Sequence, residues 1–159
     1  YAGVRDIHEN LDGSIWLATQ MSGLFLYENN STYQNFTEKD GLTDNSNYFI
    51  FESPKETFWT GSNLGVTKIS QDTSGKLIFK SIIYKGFHDT TPTIVKKSLS
   101  DYPTFKSILA DDTERLWLGS DNGLFYLFQD SLVQKSWEEE KSKDPLDPQE
   151  MDTLIQLFL

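Results

Sequence analysis

One short phrase occurs three times in this chain, and each copy carries a tryptophan at the same place. The copies span residues 12–25, 56–66 and 114–125. In each copy a short segment contains the tryptophan, and a glycine followed by an apolar residue closes the phrase. Recurrence in fixed order is the signature of a repeat architecture, in which every copy folds as one supersecondary unit. We therefore expect the three copies to form three units of the same fold.

The spacing of the tryptophans sets the size of the unit. Trp16 and Trp59 lie 43 residues apart, and Trp59 and Trp117 lie 58 residues apart. The first spacing falls within the period of about 40–50 residues that is typical of propeller blades. The second exceeds it, and the excess lies in residues 84–104, between the second unit and the third. We expect an insertion there.

Within each unit, four short apolar segments alternate with turn residues such as Asp12-Gly13. Short apolar runs bounded by turns are typical of strands, and four strands at this period indicate a β-propeller blade. The sequence therefore predicts an all-β protein. Its blades are expected at residues 4–37, 48–82 and 105–137, and the first strand of a fourth blade at 154–159.

Three blades and one strand do not close a ring, because propellers have about four to eight blades. An open fan would expose an apolar sheet face at each end. We therefore expect the chain to be part of a larger propeller, with the remaining blades supplied by further sequence or by a partner chain.

Aromatic side chains are expected to fill the spaces between neighbouring blades. They make up 14 % of the chain, and wide rings suit the contact between twisted sheets. We assign this role to the tryptophans of the repeat and to four further rings, at Phe25, Tyr27, Phe125 and Tyr126.

Composition excludes several classes of function. The chain has no cysteine, which excludes a thiolate zinc site. Its net charge of −10 argues against nucleic acid as a partner, because phosphate backbones require clustered Lys and Arg. No apolar run approaches the roughly 18 residues of a membrane helix, so we expect no insertion into a membrane by this segment.

Motifs for catalysis, cofactors and metals are not found. His8 and His88, the two histidines, have no Glu or Cys at metal-ligand spacing. Asp111-Asp112 lacks the residue order and glycine of an EF-hand and is expected at a hairpin turn. We expect neither enzymatic activity nor a cofactor or metal. A propeller lyase or hydrolase is the weakest alternative, since no acid–base pair stands out.

These phrases resemble the two-component regulator propeller repeat, whose pattern is an Asp-Gly turn, Leu-Trp-Ile-Gly-Thr, and then Gly-Leu with an aromatic residue. Asp40-Gly41-Leu42-Thr43 with Asn47, and residues 144–148, are similar to the connections between blades in that family. Departures occur in every unit: Ala18 replaces the usual glycine, Lys55-Glu56 replaces Asp-Gly, and Ser120 replaces threonine.

The resemblance implies a bacterial sensor domain in the periplasm or outside the cell. Members of the family commonly detect oligosaccharides, can act as dimers, and signal to a histidine kinase that would lie outside this chain. The alternative is a propeller scaffold for protein–protein assembly in a secretion or cell-surface complex.

Ligands of propellers bind on the face built from the turns between second and third strands and from the connections between blades. On those segments, amide and carboxylate groups offer hydrogen bonds to sugar hydroxyls, and ring side chains offer stacking surfaces. The candidate ligand-binding residues are Tyr84, Phe87, His88, Tyr102, Asp121 and Asn122. For any one of the polar residues, the alternative is that it stands there because turns favour Asp and Asn.

Overall fold

A computed structural model gives the structure of residues 3–28, 32–53, 57–84, 102–128 and 131–135. These residues form three four-stranded antiparallel sheets, in each of which the strands follow one another in chain order. The prediction of an all-β protein made of four-stranded propeller blades is confirmed. The strand expected at 154–159 and most of the insertion at 84–104 lie outside the described residues.

The strands of each blade have the following bounds. Blade 1 consists of β1 (Val4–Glu9), β2 (Ile15–Thr19), β3 (Leu24–Glu28) and β4 (Thr32–Phe36). Blade 2 consists of β5 (Asn47–Ser53), β6 (Thr57–Ser62), β7 (Gly65–Gln71) and β8 (Leu77–Ile83). Blade 3 consists of β9 (Phe105–Ala110), β10 (Leu116–Ser120), β11 (Gly123–Phe128) and β12 (Ser131–Gln134). A short 3-10 helix, η1 (Glu38–Asp40), lies between blades 1 and 2.

The first strands of the blades lie side by side. β1 packs on β5 and β5 packs on β9, and these contacts are more extensive than the contact between β8 and β12. The three sheets therefore fan out around an axis lined by their first strands, as propeller blades do.

Two apolar layers hold the blades together. Trp16 and Ala18 of blade 1 are 1 % and 0 % exposed and pack with Ile50 and Ile69 of blade 2. Trp59 of blade 2 packs in the same way with Leu118 and Phe125 of blade 3. Burial of one such side chain contributes roughly 2–3 kcal/mol, so these layers dominate the stability of the fan.

Of the four other aromatic rings, Phe125 lies between two described blades, as predicted. Phe25 and Tyr27 of blade 1 lie on the side away from blade 2 and stack on Tyr33. Strand alternation explains this orientation: Leu26 pairs with Trp16 and faces blade 2, so its two neighbours face the other way. Their predicted contact with a further blade stays a prediction. Tyr126 pairs with Trp117 and likewise lies on the side away from blade 2.

Blade 1 thus carries an apolar sheet face that no described blade covers. We call it the leading face. Its members alternate with the buried residues of the same strands: Ile7, Ile15, Leu17, Phe25, Tyr27 and Tyr33. Ile7 is 63 % exposed, whereas Ile50, at the same place in blade 2, is 5 % exposed because blade 1 covers it.

Candidate functional site

In an antiparallel meander, the turns after second strands and the connections between blades lie at the same end of the sheets. This end, which we call the loop face, is where the sequence predicted ligand binding. Its described segments are residues 20–22, 37–46, 63–64, 102–104 and 121–122.

The three turns after the second strands are built alike. In each, the hydroxyl of the last strand residue donates to the carbonyl of the glycine that opens the third strand. The pairs are Thr19 with Gly23 at 2.8 Å, Ser62 with Gly65 at 3.0 Å, and Ser120 with Gly123 at 3.0 Å. This explains why the repeated phrase ends in Ser or Thr and is closed by Gly.

The connection between blades 1 and 2 clamps their loop-face ends together. Leu42, 4 % exposed, packs into the apolar layer between the two blades. The buried hydroxyl of Thr43 donates to the Val66 carbonyl at 2.9 Å, and the Thr43 amide donates to Thr67 Oγ1 at 2.9 Å. The Gly23 amide donates to the Asn45 carbonyl at 2.8 Å, which ties the clamp back to blade 1.

A chain of polar side chains continues from this clamp towards the axis. Asn63 Nδ2 donates to Asp44 Oδ2 at 3.0 Å, and the Tyr48 hydroxyl donates to Asn63 Oδ1 at 2.9 Å. All three residues are half-buried. Their hydrogen bonds fix an aromatic ring at the start of the first strand of blade 2.

Tyr48 belongs to a set of repeated β-bulges. Each first strand has one extra, unpaired residue at its loop-face end, and these residues are Arg5, Tyr48 and Lys106. The guanidinium carbon of Arg5 lies 3.9 Å from the centre of the Tyr48 ring. Bulges commonly re-aim side chains next to functional sites.

Tyr84, one of the predicted ligand-binding residues, lies between blades 2 and 3. Its ring meets the ring of Phe125 edge-on at 4.9 Å, and its hydroxyl donates to Gln134 Oε1 at 3.2 Å. Burial raises the pKa of the Tyr84 hydroxyl. Gln134 in turn donates from Nε2 to the Asn122 carbonyl at 2.8 Å, so Tyr84 and Asn122 belong to one polar cluster.

Tyr102 and Asp121 belong to the second part of the predicted site. Asp121 is exposed, and its Oδ1 accepts a hydrogen bond from the Thr104 amide at 2.7 Å. Tyr102 is half-buried and lies two residues before Thr104. Phe87 and His88 lie outside the described residues. Ligand binding by these six residues stays a prediction.

Sequence reasoning missed the bulge residues and the hydrogen-bonded chain from Asp44 to Tyr48. The signal that would have found them is positional rather than chemical. Arg5, Tyr48 and Lys106 each lie 11 residues before the tryptophan of their unit, so an alignment of the three units places them at equivalent positions.

At the opposite end of the sheets, the described turns at residues 10–14, 72–76 and 111–115 are tight, and their polar groups are bonded within the turn. Asp111 Oδ1 accepts from the Thr113 hydroxyl at 2.6 Å, and its Oδ2 accepts from the Trp117 indole at 2.7 Å. Burial raises the pKa of Asp111, but these hydrogen bonds outweigh it, so its pKa lies below the usual value. The expected hairpin turn at Asp111 is confirmed.

One histidine of the described residues has a carboxylate neighbour. His8 Nε2 lies 3.1 Å from Glu52 Oε2 across blades 1 and 2. No group of three or more His, Cys, Asp or Glu residues suited to a metal ion occurs in the described part of the chain. Nor does any helix among the described residues have the length and apolar character needed to cross a bilayer.

No protein-family model matches the sequence, and no curated protein matches it at a significant level. Solved structures do match. Over 89 % of its length the chain is similar to the extracellular domain of BT3049 from B. thetaiotaomicron, described as a hybrid two-component system, with 15 % identity and a TM-score of 0.57.

Two further matches have lower TM-scores. The extracellular domain of BT4673 from B. thetaiotaomicron, described as a one-component system, matches 84 % of the chain at 15 % identity and a TM-score of 0.38. PorZ, a surface component of the type-IX secretion system of Porphyromonas gingivalis, matches 90 % at 14 % identity and 0.41. The chain spans 17 %, 24 % and 28 % of the lengths of these three structures, respectively.

Proposed function

We propose that this chain is a segment of a larger extracytoplasmic propeller, which senses an oligosaccharide for a two-component regulatory system and signals to a histidine kinase. The fold shared with the extracellular domain of BT3049 supports this proposal, as does the resemblance of the repeated phrase to the regulator propeller repeat. The proposal gives the segment a binding role and no catalytic one.

The main observation in support of a larger propeller is the exposed leading face of blade 1. Ile7 and Tyr27 are 63 % and 40 % exposed, whereas their equivalents Ile50 and Ile69 are 5 % and 0 % exposed beneath blade 1. A contiguous apolar sheet face of this kind is rare on a protein surface unless a partner covers it. In the proposed arrangement, another blade covers it as blade 1 covers blade 2.

The loop face supports the assignment of carbohydrate as ligand. Sugar hydroxyls need several fixed donors and acceptors together with flat apolar surface. The carboxylates of Asp44 and Asp121 and the amide of Asn63 are each oriented by a hydrogen bond, and the hydroxyl of Tyr48 is bonded to Asn63. Preorganised groups bind with less loss of conformational freedom.

Signalling would follow from differential affinity. A ligand shifts the population of two arrangements of a sensor dimer only if it binds one arrangement more tightly than the other. A site that contains groups from neighbouring blades meets this requirement when the blades move relative to one another.

Isothermal titration calorimetry of the longer protein against a panel of oligosaccharides tests the proposal. We expect one glycan class to bind, and we expect replacement of residues 85–101 by a short Gly-Ser turn to weaken that binding. A Lys76→Ala variant, changed at the opposite end of blade 2, is the control and should bind normally. An unchanged affinity after the loop exchange would remove the insertion from the site.

The scaffold alternative makes a different prediction. If the protein organises a secretion or surface assembly, no glycan binds, and the longer protein instead retains a surface protein in pull-down experiments from an envelope extract. That result would replace the sensor proposal.

A further inference from the structure

We propose that Arg5 and Lys106 form an anion-binding position at the axial end of the loop face, which takes the carboxylate of an acidic oligosaccharide. This inference rests on the proposed carbohydrate binding and narrows it to glycans that contain uronic acid residues.

Arg5 is an arginine without an anionic partner. No carboxylate oxygen lies within 4.0 Å of its guanidinium group among the residues that the structure describes, and its Nη1 is buried without a hydrogen-bond partner. The adjacent carboxylate of Asp6 forms no ion pair with Arg5. Its Oδ1 accepts a hydrogen bond from the Ile7 amide and its Oδ2 accepts one from the Ile50 amide, each at 2.9 Å. An unsatisfied buried donor is costly, and a bound acceptor would remove that cost.

The guanidinium group is held in one orientation. It stacks at 3.9 Å on the Tyr48 ring, whose hydroxyl is anchored to Asn63 and, through Asn63, to Asp44. A guanidinium stacked on a ring keeps its in-plane N–H groups free for a planar, bidentate acceptor. A carboxylate is such an acceptor, and charge strengthens both hydrogen bonds.

Lys106 occupies the same bulge position in blade 3 and is exposed, with no hydrogen-bond or ion-pair partner among the described residues. Two of the three bulge positions are therefore cationic in a chain with 14 basic and 24 acidic residues. In such an acidic chain, cations without carboxylate partners at equivalent positions of the loop face indicate an anionic ligand. Two such cations are too few for a nucleic acid.

The test compares an oligogalacturonate with its carboxyl-reduced, uncharged counterpart, by calorimetry on the longer protein at low salt. We expect the acidic probe to bind about tenfold more tightly than the reduced one, as a charge-assisted bidentate contact predicts. Arg5→Gln should remove most of that difference, Arg5→Lys should restore part of it, and Lys106→Gln should weaken the acidic probe a few-fold. Lys76→Gln, which removes one positive charge at the opposite end of blade 2, should change nothing.

The inference would be overturned if the unchanged protein bound both probes with equal affinity, or if the Arg5→Gln variant still preferred the acidic probe tenfold. Either result would leave carbohydrate binding in place. Binding of neither probe would also overturn it, and the proposed function would fall as well only if a panel of neutral oligosaccharides failed to bind. Thermal denaturation of each variant separates lost binding from lost folding.

Discussion

Gly61→Ala is the substitution that most sharply probes the contact between blades 2 and 3. A Cβ atom at residue 61 would lie 2.3 Å from Cε1 of Phe49 and 2.6 Å from the carbonyl oxygen of Phe105. Both contacts are far shorter than van der Waals distance. The Phe49 ring is packed in the core and moves only by displacing its neighbours, whereas the Phe105 oxygen is backbone and moves only with the first strand of blade 3.

The magnitude follows from two opposing terms. Overpacking of a dense core costs about 1–3 kcal/mol, and the upper half of that range applies because one of the clashing atoms is backbone. Replacing glycine restricts the unfolded chain and returns about 0.4–1 kcal/mol. We therefore expect Gly61→Ala to lower the free energy of unfolding by about 2 kcal/mol.

Urea denaturation followed by tryptophan fluorescence measures this change. Gly119→Ala is the graded comparison, since its shortest contact, at 2.3 Å, is to the rotatable hydroxyl of Ser107. Gly3→Ala is the neutral control, because its nearest neighbour lies at 3.5 Å. The reasoning is refuted if Gly61→Ala unfolds at the same urea concentration as Gly3→Ala.

Three further substitutions probe the turns and the clamp. Glu114 adopts a φ of 60° where two equivalent turns place glycine, so Glu114→Gly should raise the free energy of unfolding by about 1 kcal/mol; a lower melting temperature would contradict this. Leu42→Ala should cost about 2–4 kcal/mol in urea denaturation by opening a cavity in the clamp, and an unchanged midpoint would show that the clamp is not part of the core. The pKa of Asp111 is depressed in the folded state, so its stabilisation is present above the unfolded pKa and is lost as pH falls through the folded pKa. Asp111→Asn should therefore lower the melting temperature at neutral pH and flatten its acid dependence, and parallel pH profiles would exclude that contribution.

Much of the architecture was predictable because the repeat constrains it. A tryptophan between apolar residues, repeated in three copies of one phrase, predicts sister sheets, and Trp16 and Trp59 do lie between blades. The positions of Phe25 and Tyr27 were not predictable in the same way. A shift of one residue in a strand moves a side chain to the opposite face, and the pattern Leu24-Phe25-Leu26 is apolar at every position.

The sequence predicted which end of the sheets carries the candidate site, but not which side chains lie together there. Turn composition indicated the loop face, but Asp121 was selected for its chemistry, and in the structure its carboxylate holds the Thr104 amide. The stack of Arg5 on Tyr48 joins residues 43 positions apart in the chain. Such a pair becomes visible only when the bulges of neighbouring blades are brought together around one axis.

Cysteine labelling tests the central claim, that another blade covers the leading face, most directly. This chain has no cysteine of its own, so Ile7→Cys and Tyr27→Cys can each be placed in a longer protein kept free of other cysteines, with Thr73→Cys at an exposed turn as the reference. We predict that a maleimide reacts rapidly with the Thr73→Cys variant and slowly with the other two. Equal rates at all three positions would show that the leading face is open to solvent and would contradict the larger propeller.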